Sequence, residues 1–123
     1  MELFMKCRFV EELVMNNIKV SIAKDFSKTP GGRYIKEGDN SGEKFRNEIL
    51  IPKFKQALKK HVKLEIDLDG CMGYPSSFLE ESFGGLARMY PKENITNLLI
   101  FKSVDQPGLI QIITAMIQNG NKK

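Results

Sequence analysis

Apolar residues fall at every second position in two stretches of this chain. Ile18, Val20 and Ile22 alternate with Lys19 and Ser21, and Val62, Leu64, Ile66 and Leu68 alternate with Lys63, Glu65 and Asp67. A period of two reads as a strand with one covered face and one wetter face. The run TNLLIFKS at 96–103 is apolar without interruption and predicts a third strand, more fully buried. Elsewhere the period lengthens. Phe45, Ile49 and Leu50, then Phe54, Ala57 and Leu58, mark the buried side of a helix that reaches Lys60, with Asn40 and Glu43 as its capping box. Pro52 predicts a kink or a fresh start, since it has no N–H for the carbonyl four residues back. Leu79, Phe83, Leu86 and Tyr90 share one side of a second helix, stopped by Pro91. Leu109, Ile112, Ile113, Met116 and Ile117 line a third, which Asp105 and Pro107 begin and Gly120 ends.

Strands alternating with helices across short joints predict a small α/β domain. The expected sheet has about four strands, mixed or mostly parallel, with helices mainly on one face. The domain should run over 16–120, between a basic tail at 121–123 and an N-terminal extension at 1–15. In that extension Leu3, Met5, Cys7 and Phe9 alternate as an edge strand would, yet the same residues suit an amphipathic helix. Met15 stands just before the first clear strand and is a candidate translation start.

The chain has 123 residues, 41% hydrophobic and 28% charged, which fits one ordinary globular domain. Its longest apolar runs are too short to cross a bilayer, and the N-terminus has no signal-peptide pattern. Two cysteines, Cys7 and Cys71, form neither a disulfide framework nor a metal-ligand spacing, so the expected compartment is the cytoplasm. Much of the net charge of +4 comes from Lys53, Lys55, Lys59, Lys60 and Lys63, with Lys122 and Lys123 in the tail. A solvated helix face accounts for these lysines better than a phosphate contact, because no arginine fork stands among them. Nucleic acid is therefore not the expected partner.

The stretch GCMGYPSSFLEESFGGL at 70–86 places Ser76 and Ser77 at a helix start just beyond a strand's carboxyl end. Open α/β sheets meet their ligands and partners there. Ser77 and Glu80 fit a capping box, which leaves Ser76 without a local duty, as a contact residue or phosphoacceptor. Gly84 and Gly85 inside the helix suggest close backbone approach. Gly31, Gly32 and Arg33 read first as a turn, and second as an amide nest that could bind an anion. The chain's one histidine, His61, is placed as a helix-terminal charge, so no Ser-His or Cys-His machinery is expected. Asp67 and Asp69 are weak magnesium candidates, and neither metal nor cofactor is expected.

Three motifs together resemble the bacterial STAS-like domain family of unknown function, STAS naming the sulfate transporter and anti-sigma factor antagonist domain. They are TPGGRY at 29–34, SGEKFR at 41–46 and GYPSSFLEESFGGL at 73–86. The resemblance implies helices on one sheet face and a non-catalytic, regulatory role. Anti-sigma factor antagonists dock an ATPase-fold kinase around a serine in a D-S-S-G-L-G motif. Here the matching stretch places Ser76 at the phosphoacceptor position, with Pro75 for the aspartate and Phe78 for the first glycine. Tyr74, Ser76, Ser77, Phe78 and Arg33 are the expected partner contacts, and the partner implied is such a kinase. The alternatives are a small-ligand or nucleotide site at Gly31, Gly32 and Arg33, and, behind it, nucleic-acid binding through residues 53–63. Oligomeric state is not legible here.

Overall fold

A computed structural model of the chain describes residues 17–120. The N-terminal extension and the basic tail lie outside the described residues. The first strand, β1, is Ile18–Ser21. It ends where Ser21 and Asp25 cap a short helix, α1 (Ile22–Asp25): Lys24 N–H donates to Ser21 Oγ, and Ser21 N–H to Asp25 Oδ2. Ile22, expected on the strand, is thus the first residue of a helical turn, although fully buried as the alternation required.

Helix α2 opens at Gly42–Phe45, widens into a π-turn at Arg46–Leu50 and returns to α-helix at Ile51–Lys60. Its cap is Ser41, whose Oγ accepts from Lys44 N–H at 3.1 Å, and not the expected Asn40. The wide turn is how the chain absorbs Pro52 without a break. Ile51 N–H reaches back five residues to the Arg46 carbonyl, so the ladder has already changed spacing when the residue lacking an N–H arrives. The helix ends in a Schellman motif: Val62 N–H bonds the Ala57 carbonyl and His61 N–H that of Leu58. His61 itself takes the left-handed conformation, at φ 56°.

Strand β2 (Leu64–Asp67) leads through the turn at Gly70 to helix α3. That helix also has three parts: Ser76–Leu79, a π-turn at Glu80–Gly84, and Gly85–Met89. Helix α4 (Lys92–Leu98) follows Pro91, and β3 (Leu99–Lys102) and α5 (Gly108–Asn119) complete the order. Residues 96–98, expected as strand, are the last turn of α4, where Thr96 Oγ1 bonds the Lys92 and Glu93 carbonyls. β3 is also less buried than expected, because it is an edge strand with Ile100 and Lys102 exposed. No side chain caps α5, and Asp105, its expected cap, gives its N–H to Asp69 instead.

Among the described residues the sheet has three strands, all parallel, in the order β1-β2-β3. Their register stacks Ile18, Leu64 and Leu99 in one row and Val20, Ile66 and Phe101 in the next. The opposite face carries Lys19, Ser21, Glu65, Asp67, Ile100 and Lys102. Val20, Leu64 and Ile66 belong to one core with Phe45, Phe54, Phe78, Phe83, Ile113 and Ile117, which puts α2, α3 and α5 against the apolar face. The one-sided packing read from the alternation is what the chain adopts.

Candidate functional site

β2 delivers the site loop. Gly70, at φ +94°, turns the chain where an ordinary side chain would be strained and would also crowd Ala23 Cβ at 3.1 Å. The loop is then tied on both sides. Asp69 accepts the Val104 and Asp105 amides at 2.8 and 2.9 Å, which fixes the loop after β3 to the loop after β2. Those two N–H groups, Asp105's first, hold the Asp69 carboxyl below its usual range. Met72 N–H bonds the Lys28 carbonyl, and Tyr74 Oη donates to the Leu68 carbonyl at 2.7 Å, with Cys71 Sγ 3.0 Å away. Burial raises the Cys71 thiol and the Tyr74 phenol above their usual values, so neither is primed to ionise. Asp67 and Asp69 spend oxygens on backbone amides, and among the described residues no three His, Cys, Asp or Glu gather as a metal set.

Helix α3 begins with Pro75 as N-cap, so Ser76 and Ser77 occupy its first two positions. Ser77 does not cap and Glu80 does not reach back. Among the described residues neither serine hydroxyl bonds a protein group, and Ser76 is exposed. Beside them a shallow recess is lined by Thr29, Pro30, Met72, Gly73, Tyr74 and Pro75, and Met72 is 84% exposed at its lip. Phe78 was expected as a contact residue, and the structure corrects that. It is fully buried, its ring 5.8 Å from Phe45, 6.1 Å from Phe26 and 6.2 Å from Tyr74. The π-turn supplies the reason. A wider turn brings residues five apart toward one side, so Phe78 and Phe83 both face the core, as Phe45 and Leu50 do across the π-turn of α2.

Arg33 is also placed by the interior. Its Nη1 lies 2.5 Å from Glu80 Oε1 and 3.1 Å from Glu81 Oε1, and the Glu80 hydrogen bond leads in raising its pKa. Arg88 Nη1 meets Glu80 Oε2 and Arg46 Nη1 meets Glu81 Oε2, both at 2.7 Å. This five-residue cluster of Arg33, Arg46, Arg88, Glu80 and Glu81 was not foreseen from the sequence. Its partners lie far apart in the chain, and the visible signal was a pair of glutamates set beside Phe83 and the two glycines. One contact in it follows directly from the π-turn. Gly85 N–H skips the Glu81 carbonyl and bonds that of Glu80, and Arg46 Nη1 fills the vacancy at 2.8 Å. Gly85 must be glycine for this, since a Cβ would stand 2.6 Å from the guanidinium. Gly84 presents its carbonyl to Gly120 at the end of α5. The paired glycines thus serve packing between helices.

The nest expected at Gly31, Gly32 and Arg33 is engaged within the chain. Gly31 N–H donates to the Asn40 carbonyl, and the Gly32 and Arg33 carbonyls take the Gly42 and Glu43 amides. The amides of Arg33 and Tyr34 converge on Glu37 Oε1 at 2.9 and 2.7 Å, Tyr34's leading in holding that carboxyl below its usual range. An internal carboxylate is the anion these amides hold.

What emerges is a one-sided α/β domain whose serine corner stands open at the carboxyl rim of a parallel sheet. The model of the STAS-like domain of unknown function matches residues 41–109, more than half of the chain, and the chain belongs to that family. The match starts at the cap of α2 and ends in the first turn of α5, leaving β1 and Arg33 outside it. Neither a curated protein nor a solved structure matches the chain. Among the described residues no helix is long and apolar enough to cross a membrane.

Proposed function

We propose that this chain is a non-catalytic regulatory module that docks a protein partner, an ATPase-fold kinase, at the rim formed by residues 70–77. The observation that carries this reading is the pairing of exposed Ser76 with Met72 on a loop tied down by the Asp69, Tyr74 and Lys28 bonds. A fixed backbone that presents a large apolar side chain loses little freedom on binding. Helix-start hydroxyls without a protein partner suit a contact that a phosphate on Ser76 would change. Catalysis is not part of the proposal: the thiol and phenol at the rim are held protonated, and His61 stands at the far end of β2.

The test uses the surface and leaves the core alone. Tagged wild type and the Met72→Asp, Ser76→Glu double variant are used as bait in host extract, and captured proteins are identified by mass spectrometry. The expected result is an ATPase-fold kinase recovered by wild type and lost by a variant that still melts cooperatively. Equal recovery by both refutes the surface.

A further inference from the structure

We infer that the second half of α2, with Lys63 beyond it, binds the phosphate backbone of nucleic acid at the end of the sheet opposite the serine rim. Residues 49–64 contain Lys53, Lys55, Lys59, Lys60, Lys63 and His61 and not one carboxylate. With the five lysines set aside, fourteen basic residues face fifteen acidic ones, so this segment alone turns a chain of net −1 into one of +4. The structure adds what the sequence lacked. Lys55, Lys59, Lys60, His61 and Lys63 are all exposed, and among the described residues none of the five lysines forms an ion pair. The nearest acids in sequence, Glu48 and Glu65, stand on the previous turn of α2 and on the sheet's open face. Lys63 is positioned by its backbone, which exchanges bonds with Asn17 and Ile18, and its Nζ donates to the Asn97 carbonyl.

Charge density chooses among anionic partners. Lys53 to Lys60 span about 10 Å of helix, and a duplex presents about six phosphates over that length. A protein surface would have to crowd as many carboxylates against their own repulsion. A membrane would need apolar side chains beside the lysines. The large exposed hydrophobics are Tyr34, Ile35, Met72, Met89, Ile100, Val104 and Ile112, and none lies within this segment.

The test is fluorescence anisotropy with a labelled DNA duplex across about 50 to 200 mM salt. Wild type is expected to bind with a slope of log K on log salt of about −4, and the K55Q/K59Q/K60Q variant with a slope shallower by about three. A matched variant, K24Q/K28Q/K36Q, removes equal charge from other exposed lysines and should lose far less affinity. No binding at the lowest salt, or a slope unchanged in the first triple variant, overturns the inference. So does equal loss in both variants, or tighter retention on phosphatidylserine vesicles than on the duplex. Thermal unfolding of each variant checks that the fold is intact. The rim proposed above plays no part in this assay.

Discussion

Gly42→Ala tests the helix crossing on which the rest of the structure is hung. Gly42 is the first residue of α2, and a Cβ built on it stands 2.6 Å from the Phe78 carbonyl oxygen, 3.0 Å from Glu81 Cβ and 3.1 Å from Ser82 Oγ. The closest of these is backbone and cannot rotate away. Ordinary contact begins near 3.4 Å, so α2 and α3 must part by about 0.8 Å, enough to forfeit a quarter to a half of each dispersion contact along the seam. Phe45 and Phe78 stack across that seam. Overpacking of this kind costs about 1–3 kcal/mol, while alanine's better helix propensity returns at most ~1 kcal/mol at a helix end. The expected result in urea denaturation is a net loss of about 1–2 kcal/mol, with unchanged m-value. Gly73→Ala, where a Cβ meets nothing within 4 Å, serves as the neutral control. A Gly42→Ala protein as stable as wild type would refute the close approach of the helices.

His61→Gly should stabilise the protein. The left-handed residue at φ 56° costs an ordinary side chain about 1–2 kcal/mol, and glycine's greater freedom in the unfolded chain takes back ~0.5–1 kcal/mol. A gain of about 0.5–1 kcal/mol is expected, read as a higher melting temperature, and a lower one counts against the assigned cap. Asp69→Asn probes the tie between the two rim loops through pH. The folded carboxyl lies below its unfolded value of 3.8, so its contribution is complete above that value and fades as pH falls through the folded one. Wild type should melt above the variant at neutral pH, and the gap should close in acid; a gap that widens on acidification contradicts the assignment.

The strands were legible where a single period ruled the residues. Val20, Leu64 and Ile66 alternate because one sheet face is covered and the other is not, and they pack as read. The edges of elements were harder, since local competition decides them. Ser21 with Asp25 turned Ile22 helical, and the apolar run after Thr96 hid a helix end because buried strand and buried helix look alike over a few residues. At the candidate site Ser76 was found, because a helix start after a strand is a local signal. Phe78 and Arg33 were misread for two distinct reasons. The buried side of α3 was phased with an α-helical period, which a π-turn violates between Phe78 and Phe83. Arg33 finds its carboxylates 47 and 48 residues away, beyond the reach of any spacing rule.

The wide turns make chain length, more than residue type, the sensitive coordinate of this fold. Each turn holds one residue beyond what a regular α-helical path would use. Losing a single residue from 46–50 or 80–84 would let the helix relax to ordinary pitch, but would swing everything after it by about 100°. Leu50, or Phe83 and Leu86, would then leave the interior together, while a swap at exposed Asn47 or Glu48 changes no phase. Insertions and deletions in this domain should therefore collect in its loops and spare these two short stretches.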